Sequence, residues 1–431
     1  MAIALGACAG LPGGWFEAEP PAPVSPFFRV AVIPDTQNYV DYTHQRAEGF
    51  ALDASELFLA QMREIASLED LAFVAAVGDV WQHQTLPIEQ GHVARGFERI
   101  DNAFFESELA PTPRARDYEI PKAIEGYRLL AAAGIPFGVA PGNHDYDAMW
   151  SVAGFPPNFA KDPRELTMTP EDLGMLHIGG LDNFRSAFGE KSEFFGGKRW
   201  YVASHAGGAS SAQVFEAAGY RFLHIALEMA ASDEVLAWAA EVVEDHSGHP
   251  TIVTTHDYLD SHGERRANAI VDLPRVDPDQ HNTAEQVFQK FIAEHDQIFL
   301  VLCGHHHGQA RRFDLNRYGH GVHQVLADYQ DRGQVGIDAG QPPGRFRGRP
   351  AEIGDGWYRI LEFDFATEPP RISVRTRSSH YRVIAPDLET YAEWYREHEK
   401  PDLSDAEFMS EDHFDLMLDD FRTRFGRGGT Q

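Results

Sequence analysis

Five apolar runs of strand length, each closed by a polar cluster, constrain this chain more than any other feature. Phe28-Arg29-Val30-Ala31-Val32-Ile33-Pro34 ends on Asp35-Thr36-Gln37, and Leu71 to Val77 ends on Gly78-Asp79. Pro136 to Ala140 ends on Pro141-Gly142-Asn143-His144-Asp145, Thr251 to Thr255 on His256, and Ile298 to Cys303 on Gly304-His305-His306-His307. Between the first three runs, Leu57, Leu59, Met62, Ile65 and Leu68, and then Ile124, Tyr127, Leu129 and Leu130, recur near the helical period. Strand, helix, strand, helix, strand predicts an α/β (α+β) domain with parallel pairing. Ligands of open α/β sheets bind beyond the carboxyl ends of the strands, so the five clusters are expected to converge.

Further strands are expected near Arg199 to Ala203, Tyr220 to Leu227, Val322 to Ala327, Trp357 to Phe365 and Arg371 to Thr376, with helices near Asp233 to Val243 and Ala284 to Ala293. Regions 146–198 and 257–282 have little periodicity and read as irregular insertions that supply pocket walls. The segment 387–431 is acidic and reads as a solvated strand and helix edge. The expected organisation is a tether at 1–26, a catalytic unit at 27–310, closing strands at 311–386 and the acidic segment.

Charge and cysteine content narrow the function. With 37 basic and 66 acidic residues the net charge is −29, which disfavours binding nucleic acid or anionic lipid by bulk charge. No run reaches the roughly 18 apolar residues of a membrane span. Of the two cysteines, Cys303 closes an apolar run and reads as a buried hydrophobe, so thiolate metal ligation is not expected. Leu5-Gly6-Ala7-Cys8, followed by a Pro/Gly-rich stretch, is similar to a lipoprotein lipobox, without a basic region before it. An extracytoplasmic, periplasmic or lipid-anchored location is the expectation, with the cytoplasm as the alternative.

Carboxylates, amide oxygens and imidazoles without thiolates suit a pair of divalent or trivalent first-row ions such as Mn, Fe or Zn. In this order and on these strand ends, the clusters resemble the calcineurin-like metallophosphoesterase superfamily, which includes purple acid phosphatases and cyclic-nucleotide phosphodiesterases. Its motifs D-x-H, G-D, G-N-H-D/E, H and G-H-x-H find counterparts from Asp35 to His307, about two-thirds of the chain. The resemblance implies a two-sheet β-sandwich flanked by helices, with a dinuclear metal site at the strand ends. Carried over, Asp35, Gln37, Asp79 and His307 hold one ion, and Asp79, Asn143, His256 and His305 the other, with Asp79 bridging. Such ions, about 3.5 to 4 Å apart, share a hydroxide that attacks phosphorus in a small-molecule or peptide phosphate ester. His144 is the implied general acid, and Asp145 is expected to orient its ring.

Gln37 departs from the family's histidine. As a poorer ligand it leaves the first ion looser, favours a harder metal, or leaves a water in that place. Some bacterial branches also read D-T-Q. His306 is expected to point away from the metals, and Asn38, Tyr39 and Tyr258 either to line the pocket or to pack the loop base. Two rival readings differ in class: a non-catalytic secreted or membrane-tethered scaffold that keeps the fold, and an amidohydrolase barrel using Gly304-His305-His306-His307. Monoester and diester substrates are not distinguished by the ligand set.

Overall fold

The computed structural model describes residues 24–162, 165–342 and 351–426. Cys8 and most of the expected tether lie outside them. The described residues form a mixed α/β architecture around two seven-stranded sheets and one three-stranded sheet. In the first, Phe27–Ile33 pairs in parallel with Leu71–Ala76, which pairs in parallel with Phe137–Val139. Its other side runs antiparallel through Trp357–Asp364 to Arg371–Ser378, which is edged by both Val383–Ile384 and His413–Met417. In the second sheet, Gly321–Asp328, Ile298–Gly304, Thr251–Asp257 and Tyr220–Ala226 are successive parallel neighbours. Gly308–Leu315 edges one side, and Ser210–Ala217 followed by Tyr201–His205 the other, all antiparallel. These open sheets are not the closed ring of eight parallel strands that an amidohydrolase barrel needs.

Alternation along the strands explains the layering, since neighbouring side chains point to opposite faces. Phe28, Val30, Val32, Phe73, Ala75 and Val77 share one apolar cluster with Phe222, Ile252, Leu300, Leu302 and Val325, so the inner faces of the two sheets meet. Phe28 stacks on Phe363 at 4.4 Å between centroids and meets Phe222 at a tilt, 5.3 Å away. The intervening Ala31, Ile33, Val74 and Ala76 face outward onto Phe58, Met62, Tyr127 and Leu130. Those residues come from the helices Ala54–Ala66 and Ile120–Ala132. On the far side, Leu223, Ile225, Val253 and Val301 pack on Val235, Leu236 and Val242 of the helix Asp233–Asp245. Among the described residues no helix is long and apolar enough to cross a membrane.

Two expectations are corrected. Region 146–198 is not irregular: Ala148–Val152 and Leu176–Gly179 build the small antiparallel sheet with Arg99–Ile100. The acidic C-terminal segment is not a solvated edge either. Phe414, Leu416, Leu418 and Phe421 join the inter-sheet core, and Asp412 is fully buried. Its strand alternates in burial, with Phe414 and Leu416 inward and Asp415 and Met417 outward.

Candidate metal centre

Parallel register delivers the polar clusters to one place. Ile33 pairs with Ala76 and Ala76 with Val139, so Asp35, Asp79 and Asn143 leave neighbouring strands on the same side. Asp257 pairs with Gly304 in the other sheet, which sets His256 beside His305. The two groups meet across the sandwich. His256 Nε2 lies 3.2 Å from Asp79 Oδ2, 3.1 Å from Asn143 Oδ1, 3.2 Å from His305 Nδ1 and 3.8 Å from Asp35 Oδ2. All five residues are buried.

Tight turns make this approach possible. A Cβ on Gly142 would stand 2.2 Å from Asp79 Oδ1, and one on Gly304 would stand 2.2 Å from Asp35 Oδ1. Asp79 and His305 themselves adopt left-handed backbone, with φ of 51° and 70°. Such conformations in non-glycine residues cost of order 1–3 kcal/mol and collect at functional sites. The polypeptide is bent to bring these side chains together.

The electrostatics are unbalanced. Burial, with Asp328 next, pushes the Asp35 carboxyl well above its ordinary range. Burial also works against the Asp79 carboxylate, but His256 and His144 outweigh it and hold the group below its usual value. Burial disfavours charge on His256, yet Asp79 and Asp35 raise it to about 10. The carboxylates thus draw a proton onto His256, and a cation held between them would displace it. Burial holds His305 well below the imidazole range, so that ring is neutral. Three buried atoms here have no hydrogen-bond partner: His305 Nε2, Gln37 Oε1 and Asp328 Oδ2. Unsatisfied buried acceptors need a reason, and an N/O donor set with open lone pairs fits first-row cations.

Not every expected ligand reaches the cluster. Gln37 donates from Nε2 to Asp79 Oδ2 at 3.3 Å and also to Gln330 Oε1, which leaves its carbonyl oxygen free. His307 is held apart, with Nε2 at 2.7 Å from Gln330 Nε2 and Nδ1 against Asp331. His306 turns to Asp257, with Nε2 3.0 Å from Oδ1. The role expected for Asp145 is corrected. Its carboxylate accepts from Val80 N and Gly142 N, both at 2.8 Å, and so braces the turn. The His144 ring is oriented instead by the Gln82 carbonyl, 2.6 Å from Nδ1, with Nε2 left 4.0 Å from Asp79 Oδ2.

Asp328 and Gln330 carry no motif. Asp328 ends the strand Gly321–Asp328, so the strand-end rule that picks out the other clusters applies to it equally. A cavity of about 300 Å³ opens over His305, His306 and His307. Region 257–282 contributes Ser261 and Asn268 to its walls, and the helix Tyr391–Glu399 adds Trp394, Tyr395 and His398.

No family model matches the chain. Over 256 residues, 57% of its length, it is 25% identical to the uncharacterized protein YvnB of Bacillus subtilis (strain 168). That stretch spans only 15% of YvnB, so the likeness extends to a small part of the relative.

Proposed function

We propose that the chain hydrolyses a phosphate ester at a dinuclear metal centre of the calcineurin-like metallophosphoesterase type. The observation that carries this reading is the meeting of Asp35, Asp79, Asn143, His256 and His305 from both sheets beside buried atoms that lack hydrogen-bond partners. Asp79, Asn143, His256 and His305 would hold one ion. Asp35, Gln37 and Asp79 would hold the other, with His307 joining once its ring leaves Gln330. Bound there, two Mn, Fe or Zn ions would polarise phosphoryl oxygens and acidify water.

The chain's own residues account for the rest. The Gln82 carbonyl fixes the His144 ring through Nδ1, which leaves Nε2 as the atom that would hand a proton to the leaving oxygen. Asp145 keeps Gly142 and Val80 in place and thereby keeps the His144 N–H on Asp79 Oδ1. The test is turnover of p-nitrophenyl phosphate and bis-p-nitrophenyl phosphate by metal-stripped protein, with each metal returned in turn. Metal-dependent release of p-nitrophenol is the expected result; none with any metal contradicts the reading. The engagement of His307 by Gln330 and Asp331 favours the second reading, a scaffold without catalysis, and the same absence of turnover would support it.

A further inference from the structure

A second cluster of metal-ligating side chains stands apart from the strand-end site. It joins the helix Gln90–Ala94, the strand Leu176–Gly179 and the loop after the helix Leu273–Val276. One ligand atom from each of His92, His177 and Asp277 lies within 4.8 Å of the other two. Ligand atoms of a tetrahedral zinc site with bonds of about 2.1 Å are roughly 3.4 Å apart, so closure needs shifts of no more than about 1.4 Å. We propose that His92, His177 and Asp277 bind one structural divalent cation of the zinc class, with His281, whose ring lies 6.1 Å from that of His177, as a fourth donor.

The surroundings are those of a built site. His177 is fully buried and its Nε2 has no hydrogen-bond partner, although it faces Asp277 Oδ2 at 3.5 Å. A ring placed only for packing would not need that nitrogen. Glu89 Oε2 lies 2.7 Å from His92 Nδ1, and the Ala230 carbonyl 3.3 Å from His281 Nδ1. Both contacts put the proton on Nδ1 and leave Nε2 as a lone pair, the arrangement that outer carboxylates and carbonyls impose on metal-bound histidines. Trp150 stacks on His177 at 4.9 Å and Phe97 meets it edge-on at 4.8 Å, forming an apolar shell. A Cβ on Gly179 would stand 2.7 Å from His92 Nδ1, so that position makes room for the ring. Burial, with His92 and His281, lowers His177 to about 3 and keeps it neutral.

Two features oppose the ion and set its terms. Arg95 pairs with Asp277 Oδ2, the oxygen that faces His177, so an ion must share or displace that contact, while Glu89 beside His92 adds a negative charge. Ile178 N donates to His177 Nδ1 at 2.8 Å, so binding through Nε2 requires that contact to yield to a change of tautomer. The test uses the full chain carrying Asp79→Asn and His256→Asn, stripped of metal and reloaded with Zn²⁺. One ion per chain is expected, together with a zinc-dependent rise in melting temperature. Adding His92→Gln and Asp277→Asn should remove both, and His177→Phe, which keeps the core filled, should do the same. Cobalt(II) in the same background should give the visible band of a tetrahedral site, lost in those variants. A background that binds no ion, or an ion indifferent to all three substitutions, overturns the proposal. Because the count is taken with the strand-end site disabled, its outcome is independent of the phosphoesterase reading.

Discussion

Two buried polar clusters in this molecule differ in how their charges are closed. Around Asp412, Arg332 binds Glu399 through Nε at 2.7 Å and Nη2 at 2.9 Å, and Arg359 reaches Asp412 at 3.2 Å. Tyr391 and Thr376 hydroxyls complete the Asp412 carboxylate at 2.6 and 2.8 Å. Two guanidinium groups thus meet two carboxylates, and of this network only Arg359 Nη1 lacks a partner. At the strand ends, Asp35, Asp79 and Asp328 crowd together, among the described residues no arginine or lysine pairs with them, and His305 Nε2, Gln37 Oε1 and Asp328 Oδ2 stay unpaired. A closed network holds the C-terminal segment to the sheet, while an open one is built for something the chain itself does not provide.

This contrast can be broken in several ways. Asp79→Asn should reduce phosphoester turnover by at least about 10³-fold, because the proposed bridging carboxylate is lost. The same variant should destabilise metal-stripped protein less than Asp412→Ala does in urea, because Asp35 remains to neutralise His256 and its repulsion with Asp79 is relieved. Asp412→Ala should do the reverse: chemical denaturation should show a loss of about 3–5 kcal/mol, since buried Arg359 loses its carboxylate and the Tyr391 and Thr376 hydroxyls lose their acceptor. Its metal content per folded chain should not change. Similar destabilisation by both substitutions would erase the distinction.

Gly142→Ala sharpens the comparison from the backbone side. The added methyl collides with Asp79, so a loss of about 1–3 kcal/mol is expected in denaturation, along with weaker metal binding in titration. The smallest effect concerns Glu228, a half-buried acid that belongs to neither network. Burial raises it to about 7, with Arg185 offsetting only part. Its folded value exceeds its unfolded one, so its contribution to stability is complete below about pH 4 and is lost as pH rises through 7. Glu228→Gln should flatten that decline by about 1–2 kcal/mol, read from denaturation midpoints between pH 5 and 8.

Much of the scaffold is legible in the sequence because the central strands are short apolar runs with polar stops. Leu71–Ala76 and Ile298–Gly304 can be placed within a residue or two from hydrophobicity alone. Outer strands are less legible: Ser210–Ala217, second from one edge, and Gly308–Leu315, at the other, mix polar and apolar residues, although each pairs with the strand that follows it in the chain. At the site, strand ends and spacing bring forward Asp35, Asp79, Asn143, His256 and His305. They cannot say that Gln330 stands between Gln37 and His307, nor that the Gln82 carbonyl, rather than Asp145, takes the His144 ring. Those contacts depend on side-chain rotations in loops. The burial of Asp412 is hidden for a related reason, as its arginine partners lie 53 and 80 positions upstream in the chain.

The account rests on the strand-end cluster being a cation site. Elemental analysis of reloaded protein, wild type beside the Asp79→Asn/His256→Asn variant, tests this directly. The wild type should carry two more ions per chain than the variant. Equal counts would contradict the dinuclear centre.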